Sequence, residues 1–133
     1  ISVILHSNAP ADAPEHLRRH VPHYCALESA TYAMNGVVTD LFDDDFDPIT
    51  DIAVVNVTSN FSGELFTEEA TVDVGVTKIG TTSVTLSVGI EQGGVRAADL
   101  SMTLVRVGDG RTASKPWTQQ QRTALEGLQA TGA

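Results

Sequence analysis

His16, His20 and His23 stand close together and would share one face if their segment were helical. Such a trio is a candidate zinc site, because imidazole is one of the ligands zinc takes most readily. Two features oppose it. Pro22 biases Val21 out of the helical region, and Leu17 stands where a metalloprotease helix places the Glu that follows its first His. No metal is therefore expected. Cys25, two residues beyond His23, raises a thiol–imidazole nucleophile, although the ordinary role of a lone cysteine is a small buried side chain. Three carboxylates, Asp12, Glu15 and Glu28, flank the histidines and have the chemistry to take a proton from water.

These groups need elements to hold them. Ile1, Val3 and Leu5 alternate with Ser2, Ile4 and His6, which predicts a first strand, and SNAPADAP (7–14) follows as a Pro/Ala loop. From Cys25 to Phe42, Leu27, Ala30, Met34, Val37, Val38 and Leu41 fall at helical spacing, so this face must be buried. Gly36 lies inside that helix, where it costs about 1 kcal/mol relative to Ala, and is expected to pack closely against a neighbour. The helix should end at DDDFDP (43–48), an exposed loop, because carboxylates oppose the negative end of the helix dipole and Pro48 cannot continue it.

Beyond this loop the period changes from 3.6 to 2. Ala53, Val55 and Val57 mark one strand, and Val72, Val74 and Val76 a second. Val84, Leu86, Val88 and Ile90 mark a third, joined through EQGGV (91–95) as a hairpin to a return strand carrying Ala98, Leu100, Met102 and Leu104. The apolar phase slips at Val105 and Val107, which predicts a bulge or burial on both faces. Thr118 and Gln121 have capping-box spacing, so a short helix should close the chain. The expected fold is α+β, one long helix against an antiparallel sheet of about five strands, in a single domain over 1–133. In TKIGTTSVTLSVGI (77–90), Gly80, Ser83, Ser87 and Gly89 reduce bulk where a backbone or thin ligand approaches; the plainer alternative is a turn and the solvent face of a strand.

Charge narrows the partners. With 17 acids against 8 bases the net charge is −9, and such a surface repels nucleic acid and anionic membrane. One cysteine forms no internal disulfide, which points to a cytoplasmic protein. No apolar run approaches the roughly 18 to 20 residues of a membrane helix, and no basic start precedes an apolar core as in a signal peptide. A start at Ile1 rather than Met leaves room for a leader already removed.

The order of a first strand, a His-bearing loop, a small-residue helix and the strands from Val54 to Trp117 resembles the hotdog-fold acyl-CoA thioesterases of the 4-hydroxybenzoyl-CoA thioesterase type. Phe61, Gly63, Lys78, Ile79, Gly80 and Ser83 stand where that family has an aromatic before a turn, a basic residue, Ile and Gly, then Ser. Lys115, Pro116 and Trp117 look like the family's ending. The resemblance implies a sheet wrapped around the helix, two sheets joined edge to edge in a dimer or tetramer, an acyl-CoA substrate and no cofactor.

It also implies site residues. The helix start would polarise the acyl carbonyl through N–H groups near Tyr24 to Ala26. His20, Tyr24, Cys25, Phe61, Lys78, Gly80 and Ser83 would bind substrate, with Lys78, Arg96 and Arg106 available for the CoA phosphates. Where the family usually carries an Asp before the helix-opening His, this chain has Pro14 and His16. The catalytic assignments therefore go to Glu15, Asp12 and Glu28 as carboxylates and to His23 as a helix-opening residue. A hotdog domain that binds an acyl thioester or another apolar ligand without hydrolysing it is the competing expectation.

Overall fold

The computed structural model describes residues 2–7, 9–42 and 46–132. In chain order the elements are β1 (Ser2–Ile4), α1 (Glu15–Arg19), α2 (His23–Leu41), α3 (Pro48–Asp51), β2 (Ile52–Phe61), β3 (Glu69–Ile79), β4 (Ser83–Gln92), β5 (Val95–Arg106), a 3₁₀ turn (Asp109–Arg111) and α4 (Gln119–Gly132). The five strands form one antiparallel sheet in the order β1-β3-β4-β5-β2. β1 and β2 are thus its two edges.

The period-two pattern becomes the core. Val84, Leu86, Val88 and Ile90 on β4 are buried beside Ala98, Leu100, Met102 and Leu104 on β5, while the intervening residues reach the other face. Onto this surface α2 lays Ala26, Ala30, Ala33, Met34 and Val38, small residues that let a helix approach the pleats closely. α4 packs on β3 and buries Leu125. Its start has the reciprocal cap that the sequence predicts: Thr118 N–H donates to Gln121 Oε1 at 2.9 Å, and Gln121 N–H to Thr118 Oγ1 at 3.1 Å.

Two expectations need correction and one is met. At the phase slip the expectation is met: β2 has an irregularity between Val54 and Asn56, opposite Leu104 and Thr103 beside Val105, and others fall between Val76 and Lys78 and between Ile90 and Glu91. Leu104 is buried and Val105 half-buried, so the phase slip reflects cover on both faces. Gly36 faces outward, and a Cβ there would meet nothing within 4 Å, because the helix turns its alanines rather than its glycine to the sheet. The acidic loop 43–48 is only partly within the described residues: Phe46 is buried, and Pro48 opens α3. Among the described residues no helix is long and apolar enough to cross a membrane.

Candidate active site

Pro22 shapes the site by breaking a helix. α1 stops at Arg19, His20 is extended at φ −75° and ψ 133°, and Pro22 caps the start of α2. The three histidines therefore do not lie along one continuous helix. Among the described residues, no three His, Cys, Asp or Glu side chains gather to hold a metal ion. The freed backbone of 19–21 pairs instead with the segment leading into β3. Val21 N–H donates to the Leu65 carbonyl and Thr67 N–H to the Arg19 carbonyl, both at 2.8 Å, with His20 and Phe66 bridged antiparallel between them.

This short ladder joins side chains far apart in sequence. His20 Nδ1 lies 2.8 Å from Glu64 Oε1. Arg19 and Glu68 form a second, exposed pair at 3.3 Å. Gln92 supports the arrangement with a two-point clasp on the backbone of one residue: Phe66 N–H donates to Gln92 Oε1 at 2.8 Å, and Gln92 Nε2 donates to the Phe66 carbonyl at 2.9 Å. Beside these groups is an open cavity of about 660 Å³ lined by His16, Leu17, Arg19, His20, Glu64 and Phe66. Polar groups along an otherwise apolar hollow are the usual composition of a small-molecule site.

One turn on, the His23 ring stacks on Phe61 with centroids 3.7 Å apart and an interplanar angle of 5°. Tyr24 is 58% exposed at the same helix end. Cys25 is 5% exposed and packs in the core, so its thiol is not offered to a substrate. The N–H groups of Cys25 and Ala26 both turn back to the Pro22 carbonyl, at 3.0 and 3.2 Å. They are therefore occupied by the helix itself rather than aimed outward.

No family model matches the sequence, and no curated protein does. Solved structures match closely in shape. A predicted thioesterase from Bacillus stearothermophilus superposes with a TM-score of 0.76 at 17% identity, over 96% of this chain and 94% of that one. A hypothetical protein from Staphylococcus aureus in complex with CoA gives 0.83 at 9% identity, over 100% and 84%. A hexameric broad specificity acyl-coenzyme A thioesterase gives 0.71 at 13% identity, over 98% and 94%. The chain has the hotdog fold.

Within this hotdog domain the residues singled out from sequence divide into two groups. His20, His23, Tyr24 and Phe61 gather at the start of α2. Lys78, Gly80 and Ser83 lie at the opposite end of the sheet, where the Ser83 carbonyl accepts Trp117 Nε1–H at 3.0 Å and the Gly80 carbonyl accepts Arg122 Nη2–H at 2.7 Å. The register sets the separation: Ser83 pairs with Val105 and Ile90 with Ala98, about 23 Å apart along β5 at roughly 3.3 Å per residue. A second open cavity, of about 470 Å³, lies at that far end, with Arg106 and Lys115 in its wall.

The carboxylates nominated from sequence are placed differently from the histidines. Asp12 is exposed on a turn and Glu15 is exposed at the first position of α1. Glu28 lies 3.7 Å from His6 Nε2 in an exposed pair. Glu64 is the carboxylate that meets His20, between α1 and α2, and sequence reasoning missed it. Its one available signal is its position just after Phe61 and Gly63, at the turn that the family resemblance had already marked.

Proposed function

We propose that this hotdog chain is a cytoplasmic acyl-CoA thioesterase acting at an interface between two copies of itself. The observation that carries this reading is the shared fold over nearly the whole chain with solved thioesterases, together with the likeness to a CoA-bound structure. The site supports it chemically. With the Cys25 and Ala26 N–H groups bonded to Pro22, the 19-residue helix acts on an acyl carbonyl at its mouth through its dipole, whose positive end favours the developing oxyanion. His20 and Glu64 supply titratable groups, and the hollow between Leu17 and Phe66 supplies an apolar wall.

The exposed edge supports the second copy. β2 has a neighbour on one side only, and Val54, Val55 and Val57 are exposed on its two faces. An open apolar edge strand is a template for pairing, and a twofold axis at β2 would set two such strands antiparallel. The Phe61 end of one copy then meets the Ile52 end of the other. Lys78, Gly80 and Ser83 of the second copy, with its Arg106 and Lys115, come to the same side as His20. The two groups separated within one chain would thus flank one substrate, the bases toward the CoA phosphates.

The test is thiol release from short, long and aromatic acyl-CoAs, with light scattering on the same sample. We expect release by a species of at least two copies. The exposure of Asp12 and Glu15 favours the competing non-hydrolytic binder, and that reading prevails if CoA esters bind while none releases thiol. A monomer at micromolar concentration would sink the interface.

A further inference from the structure

We propose that His20, oriented by Glu64, is the base that activates water in this chain. This rests on the hydrolase reading and moves the base from Glu15, Asp12 or Glu28, where the sequence analysis put it, to His20, there assigned to substrate binding. The ionised carboxylate is an acceptor only, so in the neutral imidazole the 2.8 Å contact selects the tautomer with the proton on Nδ1 and the lone pair on Nε2. This is a stronger arrangement than the other histidine–acid pair, His6 with Glu28, whose 3.7 Å separation is beyond hydrogen-bond length.

The pair is held on both sides by backbone rather than by chance proximity. The Val21–Leu65 and Thr67–Arg19 bonds lock the two segments in register, and the Gln92 clasp fixes the Phe66 backbone between them. A base must be held in place to act, because its contribution depends on alignment with the proton that it removes. His20 also lines the 660 Å³ cavity together with Leu17 and Phe66, so a bound acyl group and a water have room beside it.

The step balances without a co-reactant. His20 Nε2 takes one proton from water as the water oxygen bonds to the thioester carbonyl carbon. The tetrahedral intermediate then breaks its carbon–sulfur bond, and the imidazolium returns the proton to the departing thiolate. The products are a carboxylic acid and free thiol. Glu64 is a positioning residue, holding the tautomer and stabilising the imidazolium by charge.

The experiment is steady-state hydrolysis of the acyl-CoA panel by the full chain and its variants. His20→Ala should lower kcat by about 10² to 10⁴ with KM little changed, the size of a lost general base. Imidazole added to the buffer should recover part of that loss, which it would not do for a purely structural defect. Glu64→Gln should lower kcat by about 10- to 100-fold, as for other groups that orient an imidazole, and Glu64→Asp should restore part of it. In the free protein, ¹⁵N spectra should show His20 as the Nδ1–H tautomer, and Glu64→Ala should mix the tautomers. A near-parental kcat in His20→Ala overturns the proposal while leaving the thioesterase reading intact. Should His20→Ala fail to fold, an unchanged kcat in Glu64→Gln overturns it instead. A parent chain that binds acyl-CoA and releases no thiol overturns both.

Discussion

At the Leu41 end of α2, Phe42 meets the ring of Phe46 at 4.6 Å and that of Trp117 at 5.9 Å, with Phe46 and Trp117 buried. At the His23 end the rings are closer, with His23 on Phe61 at 3.7 Å, yet His23 is exposed and Phe61 only half-buried. Both ends use aromatic contact, but burial separates them. Where water is excluded on all sides, a ring contributes its full area to stability. Where one side stays open, the same kind of contact positions a group while leaving it reachable. The polar partners follow the same division. Trp117 spends its N–H on the Ser83 carbonyl, a structural bond, whereas His20 meets a carboxylate at the rim of a cavity.

The dry end should break first. Trp117→Ala removes a buried indole and its bond to Ser83, and should cost about 3 to 5 kcal/mol in denaturant unfolding. A loss below about 1 kcal/mol would mean that the tail does not close this end. His23→Ala should cost about 0.5 to 1.5 kcal/mol, the worth of an aromatic pair beyond its buried area. If the two losses were equal, the contrast in burial would not be what separates the ends. The smallest effect belongs to the middle of α2. Gly36→Ala should raise stability by up to about 1 kcal/mol, because a Cβ there enters open space while the helix gains propensity. A drop in melting temperature would show that the outer face of α2 is covered in the working protein.

The strands were legible because their signal is local. Val84 to Ile90 and Ala98 to Leu104 alternate without interruption, and each residue faces the side that its phase predicts. The Thr118–Gln121 cap was legible for the same reason, since both partners lie within one turn. Gly36 was misread because the apolar spacing of α2 is broad: it fixes that a face is buried without fixing where that face ends. Its alanines, which look featureless in sequence, are what allow the close approach to the sheet.

The candidate site divides along the same line. The sequence by itself determined the break at Pro22, the clustering of histidines before α2 and the absence of an Asp where the resemblance expects one. Each of these depends on residue type and nearest neighbours. Only the tertiary structure decided which acid stands beside which histidine. Glu64 is 44 residues from His20, and no periodicity connects them. They meet because the backbone freed by Pro22 must satisfy its N–H and carbonyl groups, and it does so on the segment from Leu65 to Thr67. Tertiary structure likewise separated Lys78, Gly80 and Ser83 from the histidine end, because antiparallel register carries β4 and β5 the length of the sheet between them.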